Sequence, residues 1–180
     1  DVSGLDAAYK IVILTAVALK ADIQLEDIYY EGIEHVTLAD TLYLDELGYR
    51  VRLIAKAERH GEQVSVSVCP TAIDKEHPLA MVRNEFNAIF STGNMVGDSM
   101  IYGKGAGSLP TGSAVMADIL DIAFDIGKHQ SRRNLETNMK VVPVMSIDEQ
   151  FTEYYFRISL KDEAGALEHM SHLFSEHSVN

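Results

Sequence analysis

Cysteine is almost absent from this 180-residue chain, occurring once, at Cys69. A single thiol excludes an internal disulfide and gives a metal site at most one thiolate. Cys69 ends the alternating run Val64-Ser65-Val66-Ser67-Val68-Cys69, the setting of a small strand residue rather than a catalytic thiol. Sparse cysteine is consistent with a reducing, cytoplasmic setting. Basic residues are also scarce, 15 against 27 acidic ones, for a net charge of −12. Such a surface repels phosphate backbones and anionic lipid, so neither nucleic acid nor a membrane surface is an expected partner. No apolar run is long enough to span a bilayer, which takes roughly 20 residues; the longest, Ile11 to Leu19, is interrupted by Thr15. No secretory signal, Gly-x-Ser-x-Gly elbow, His-Glu-x-x-His motif or internal repeat is visible. The seven histidines form no ligand-like grouping with cysteine, so no metal site is expected. His169 and His172, with Glu168 and Glu176 nearby, read as a solvated helix face.

What is present suits a packed globule, because 47% of the residues are hydrophobic and disorder goes with low hydrophobicity. Ser3 with Asp6 three positions on predicts a capped helix start. The helix through Ala7 to Lys20 is apolar nearly all round, as a buried helix is. Ile28 to Ile33 reads as a strand, and Thr37 to Leu47 as a helix stopped by Gly48. Tyr49 to Glu58 and Gln63 to Cys69 read as a hairpin turning at His60-Gly61. Pro70 and Pro78 bracket a predicted loop. Asn84 to Phe90 and Ser99 to Tyr102 read as two further strands joined through Gly93 and Gly97. A second strong helix is predicted from Ala114 to about Gly127, capped by Ser113, with Asp118, Asp121 and Asp125 on a wet face. Lys128 to Gln150 reads as a polar linker with one short extended piece. Tyr154 to Leu160 reads as a strand and Ala166 to Glu176 as a helix. The expected class is α+β, a mostly antiparallel or mixed sheet with helices packed on one face. The chain starts at Asp1 without a methionine, and both ends adjoin helix patterns, so it reads as a segment of a longer protein.

Two features could carry chemistry. Asp6 and Lys10, four apart, share a helix face with the acid toward the N-terminus. Such a spacing suits a surface ion pair of about 0.3–0.5 kcal/mol. At the mouth of a core it suits a lysine able to donate a proton to a carbonyl oxygen as that oxygen gains electrons. Spacing alone leaves both open. The glycine-rich stretch Gly103-Lys104-Gly105-Ala106-Gly107 lies between a strand and a helix, which suits close backbone approach to a ligand or a tight structural turn. It is neither the standard dinucleotide fingerprint nor a P-loop.

Four blocks in order make the chain recognisable. The opening Asp1-Val2-Ser3-Gly4-Leu5-Asp6-Ala7-Ala8-Tyr9-Lys10 resembles the homoserine dehydrogenase signature, Asp-x-x-Gly-x-Asp-x-x-x-Lys. Tyr30-Glu31-Gly32-Ile33, His77-Pro78-Leu79-Ala80, and Gly97 through Gly107 into Ala114-Val115-Met116-Ala117-Asp118-Ile119 also resemble that family's substrate domain. The resemblance implies reversible reduction of aspartate semialdehyde to homoserine with NADPH or NADH, in a homodimer formed through the sheet. It implies that Lys10 protonates the carbonyl oxygen, that Asp6 binds substrate and helps place Lys10, and that Gly107, with Gly105, offers backbone to the cofactor. The implied division is a substrate-binding and dimerisation domain at 1–127, a linker at 128–150 and a partial module at 151–180. That last part, with Asp162-Glu163-Ala164-Gly165-Ala166-Leu167, resembles the first βα unit of an ACT regulatory module, for which threonine is the implied effector. Ala164 stands where proline is often found. By the same resemblance, the dinucleotide-binding domain, a substrate-binding glutamate and a second lysine precede Asp1. The competing reading is a non-enzymatic amino-acid-binding or assembly module in which Asp6–Lys10 is only structural.

Overall fold

The fold is built around one stripe of valines. In a computed structural model that describes residues 2–128 and 139–179, β3 (Tyr49–His60) and β4 (Gln63–Asp74) pair antiparallel from Tyr49 opposite Asp74 to His60 opposite Gln63. The short β2 (Tyr29–Tyr30) pairs parallel with β4, Tyr29 opposite Ser67, giving a mixed sheet in the order β2-β4-β3. Alternation sends Val64, Val66 and Val68 of β4 to one face, where all three are buried. Helix α1 (Leu5–Leu19) lays Ala8, Ile11 and Thr15 over that stripe, at offsets of three and four that follow the helical period. The α+β class read from the sequence is the observed one, with the strands divided among three small sheets.

Several local expectations change. α1 is capped not by Ser3 but by Gly4, in the left-handed conformation at φ 79°, with no side-chain cap. Nor is α1 buried all round: Tyr9, Ile13 and Val17 are each more than half exposed. A sheet covers only the stripe that faces it, so an evenly apolar helix resting on one layer keeps its far side open. β4 runs straight through Pro70 to Asp74, where a loop was expected. β2 pairs only with Ser67 and Val68, and beyond Val68 no strand among the described residues pairs with that edge of β4, so a proline there costs no ladder bond. The following turn, Pro78–Met81, is a short 3-10 segment capped by His77, whose Nδ1 accepts from the Leu79 amide at 3.2 Å.

Helix α2 (Leu38–Glu46) begins at Thr37 with a reciprocal capping box. The Thr37 amide donates to Asp40 at 2.9 Å and the Asp40 amide to Thr37 Oγ1 at 3.3 Å. Gly48, at φ 90°, follows its end, as predicted. β5 (Phe86–Gly93) and β6 (Gly97–Lys104) form a separate antiparallel hairpin. Helix α3 starts at Ser108, not Ala114, and runs to Lys128. Pro110 is tolerated because amides in a helix's first turn have no intrahelical partner.

The stretch read as a linker returns to the core. β7 (Lys140–Val141) pairs parallel with β1 (Ala21–Asp22). Val64 N donates to Pro143 O at 3.0 Å, and Met145 N to Val64 O at 2.8 Å. Val142 and Val144 pack against the valine stripe. Ser131-Arg132-Arg133-Asn134 lies outside the described residues, as does Asp1. Helix α4 (Ala166–Glu176) matches its expected span, with His172 and Glu176 paired at 3.4 Å on an exposed face. Tyr154 to Leu160, by contrast, forms no strand among the described residues. A strand needs a neighbour to bond to, and among the described residues no strand pairs with this segment.

The tail is held by side chains instead. Arg157 Nε donates to Asp40 Oδ1 at 2.5 Å and the Tyr155 hydroxyl donates to the same oxygen at 3.3 Å. Arg157 and then Thr37 hold the Asp40 carboxyl well below the usual carboxylate range. A depressed folded-state pKa stabilises above the unfolded value, near 3.9, and that contribution fades as pH falls further. The tail contact is therefore expected to persist from neutral pH to about pH 4 and to weaken below it. The Asp40 carboxyl carbon shift, followed by NMR against pH, should show this carboxyl titrating below the usual carboxylate range. In Arg157→Gln its titration should move up toward that range; an unchanged Asp40 titration in the variant would remove the Arg157 contact as the anchor.

Candidate active site

The site begins where the chain enters α1. Ile33 N donates to Val2 O at 2.8 Å, tying the start of the first block to the turn of the second. Gly4 then opens the helix, its carbonyl accepting from Ala8 N at 2.9 Å. Asp6 lies in the first turn and Lys10 one turn on, Lys10 Nζ donating to Asp6 Oδ2 at 2.7 Å. The pairing expected from the spacing is thus present. Its setting differs from the core mouth envisaged: the side chains are 62% exposed at Lys10 and 54% at Asp6. Only the face carrying Ala8, Ile11 and Thr15 turns inward, and Asp6 and Lys10 lie off that face.

The glycine-rich turn is positioned by the β5–β6 hairpin. Gly105 N donates to Glu85 O at 2.8 Å, closing the end of the hairpin. A Cβ on Gly105 would stand 1.8 Å from Nδ2 of the exposed Asn87 side chain, which would have to turn away to admit it. Gly107 adopts φ 120° and hands the chain to α3. Glu85, Lys104, Ala106 and Gly107 line an open cleft of about 370 Å³ together with the first residues of α3. Lys104 Nζ pairs with Glu85 at 3.0 Å and lies 5.5 Å from the centre of the Phe86 ring. The Glu85 carboxyl is held below its usual range by its own backbone amide and then by Lys104. The cleft joins a left-handed glycine to a helix N-terminus, an arrangement that accepts the close approach of an anionic group.

The α1 pair and the glycine turn belong to different sheets, and no hydrogen bond or ion pair among the described residues joins them. The third block is structural. Ala80 is fully buried, and its carbonyl accepts from Arg50 Nη1 at 3.1 Å and Arg52 Nη2 at 2.8 Å. His77 caps that turn and meets the Phe90 ring with centroids 4.9 Å apart, linking the mixed sheet to the hairpin. Cys69 is half-buried in β4, and burial followed by the nearby Glu31 charge raises its thiol, which fits the strand reading. Among the described residues no group of three or more His, Cys, Asp or Glu side chains is placed to hold a metal, and no helix is long and apolar enough to cross a membrane. Sequence reading missed two contacts here, that of Gly32 against Val2 and Ser3 and that of Arg157 on Asp40. Both join residues distant in sequence, and only the presence of Gly4 and Gly32 in separate blocks of one family pattern hinted at the first.

A mixed sheet carrying an acid–lysine helix, followed by a hairpin that ends in a glycine turn, defines an α+β domain with two candidate contact points for ligands. The family model described as homoserine dehydrogenase matches residues 1–120. The chain belongs to the homoserine dehydrogenase family. It is 37% identical to the homoserine dehydrogenase of Bacillus subtilis over an alignment covering 100% of this chain and 42% of that protein. Its identity to the Neisseria gonorrhoeae enzyme is 35% at the same coverage. Among solved structures, the Thiobacillus denitrificans homoserine dehydrogenase superposes with TM-score 0.72 at 30% identity, over 99% of this chain and 42% of that one. A Staphylococcus aureus homoserine dehydrogenase at pH 6.5 gives TM-score 0.64 at 47% identity, over 77% of this chain and 35% of that one. The chain thus spans about two fifths of the length of the curated relatives it matches.

Proposed function

We propose that this chain is the substrate-domain portion of a homoserine dehydrogenase that reduces aspartate semialdehyde to homoserine with NADPH or NADH. The observation that carries the reading is the 2.7 Å Lys10–Asp6 pair in the family's signature at the head of α1. A nicotinamide nucleotide, when bound, would supply the hydride. As the carbonyl carbon is reduced, negative charge gathers on its oxygen, and Lys10 within hydrogen-bond reach gives up an Nζ proton to it. Asp6 contacts the substrate and holds Lys10 in line for that transfer. The backbone at Gly105 and Gly107 approaches the cofactor. The working division is a substrate-binding and dimerisation unit at 1–127, a connection at 128–150 and an ACT-like piece at 151–180. In that arrangement residues 140–145 belong with the first unit, since they bond to β1 and Val64. A homodimer formed through the sheet, threonine as effector and a cytoplasmic setting complete the proposal.

The competing reading, an amino-acid-binding or assembly module without catalysis, draws its support from the exposure of the Asp6–Lys10 pair. In the dehydrogenase reading, that exposure is what a half-site shows when its other half lies in an upstream domain. Nicotinamide oxidation with aspartate semialdehyde separates the two. The full-length protein should turn over with at least one of the two nucleotides, and residues 1–180 alone should not. An inert full-length protein would sink the dehydrogenase proposal. Robust turnover by the 180-residue chain would show that no upstream half is required.

A further inference from the structure

We propose that Gly32 is a positioning residue for the Asp6–Lys10 pair, because its missing side chain is the space into which the start of α1 fits. This inference rests on the dehydrogenase reading of that pair. Gly32 is buried, and a Cβ placed on it would stand 2.0 Å from Val2 O and 2.6 Å from both Ser3 C and Ser3 Cα. All three are backbone atoms, which cannot swing aside as a side-chain end can. The fit is reciprocal: a Cβ on Gly4 would meet Glu31 O at 3.0 Å and Glu31 C at 3.2 Å. Gly4 also needs its glycine for its φ of 79°, whereas Gly32 is not among the positive-φ residues. At Gly32 the requirement is therefore closeness alone, so alanine there acts as a steric wedge without backbone strain.

The seat is firm on the sheet side. Glu31 N donates to Val68 O at 2.8 Å, and Val68 is fully buried at the centre of the core. Ile33 N holds Val2 O from the other side of the glycine. The body of α1 is fixed separately by Ala8, Ile11 and Thr15. A methyl on Gly32 must recover more than an ångström from its 2.0 Å contact to reach an ordinary van der Waals distance, and the yielding part is the entry to the helix. Asp6 stands two residues after Gly4 and shifts with it. Lys10 is held by the turns beyond, so their relative geometry changes. A misplacement of about 1 Å in a reacting constellation can cost about a hundredfold in rate.

The test is Gly32→Ala in the full-length dehydrogenase, with rates expressed per folded molecule and Lys10→Ala measured in parallel. The expected result is a ten- to hundredfold fall in kcat, a raised KM for aspartate semialdehyde and an unchanged KM for the nicotinamide nucleotide. A purely structural role would lower the melting temperature and the folded fraction while leaving both constants of the surviving enzyme unchanged. If Gly32→Ala does not fold, Gly4→Ala presses the same contact from the other side, with the added strain of alanine at φ 79°, and should show the same split. The proposal falls if Lys10→Ala abolishes turnover while the folded glycine variants keep parental kcat and KM. Should Lys10→Ala itself be silent, the reading beneath the proposal fails instead.

Discussion

Lys10→Ala in the full-length protein is expected to slow reduction of aspartate semialdehyde by a hundredfold or more, about 2.7 kcal/mol or more added to the barrier. The developing alkoxide would lose both its proton source and its nearest cation. Thermal stability should scarcely change, because Lys10 is 62% exposed and its ion pair with Asp6 lies on the helix surface. Lys10→Arg sharpens the result. A guanidinium keeps the charge but does not give up a proton near neutral pH, so the arginine variant should remain slow. Recovery of the rate by arginine would assign an electrostatic role without proton transfer. Asp6→Asn should raise the KM for the semialdehyde as well as slow turnover, since Asp6 is proposed to touch the substrate. A parental rate in Lys10→Ala would leave only a surface ion pair and favour the non-enzymatic reading.

What the sequence disclosed follows from the range of each interaction. The β3–β4 hairpin was legible because Val64, Val66 and Val68 alternate after a turn read at His60-Gly61, which forms one residue later, at Gly61-Glu62, with His60 paired to Gln63. The capped α2 was legible from its closing Gly48. These signals are local. The early start of α3 was hidden because Pro110 and Gly112 read as breakers, although the first helical turn accommodates proline. The outer side of α1 looked buried because composition reports how apolar a helix is, not how many layers cover it. β7 is two residues long in polar surroundings, and its partner lies more than a hundred residues earlier, so no pattern announces it. The segment 154–160 has the composition of a strand, but among the described residues no strand pairs with it. At the site, the spacing of Asp6 and Lys10 foretold their contact but not its use: the proposed roles come from the family, and the contact geometry alone does not tell catalysis from a surface pair. The Gly32 contact is backbone against backbone across about thirty residues, and only the folded chain displays it.

The second large effect expected is on folding. Val66→Asp should prevent cooperative folding at neutral pH. Val66 is 1% exposed in the middle of the valine stripe, within the cluster that includes Ala8 and Ile11 of α1. A carboxylate there has no cation in that cluster to pair with. Keeping it ionised would cost several kcal/mol of desolvation, and keeping it protonated still leaves a polar group in an apolar layer. Native stabilities are typically about 5–15 kcal/mol, so this one change removes a large share. The sign of the pH dependence follows from burial. Desolvation raises a carboxyl pKa in the folded state, so the penalty grows as pH rises above the unfolded value near 3.9. Val66→Asp should therefore be less damaged, relative to the parent, at pH 4 than at pH 7. Ala55→Asp is the matched control, on the neighbouring strand opposite Val68 but exposed, and it should change stability by no more than about 0.5 kcal/mol. Thermal unfolding followed by circular dichroism, with soluble yield, reads all of these. A Val66→Asp protein that melts like the parent at pH 7 would mean that the contact of α1 with β4 is not the core of the fold.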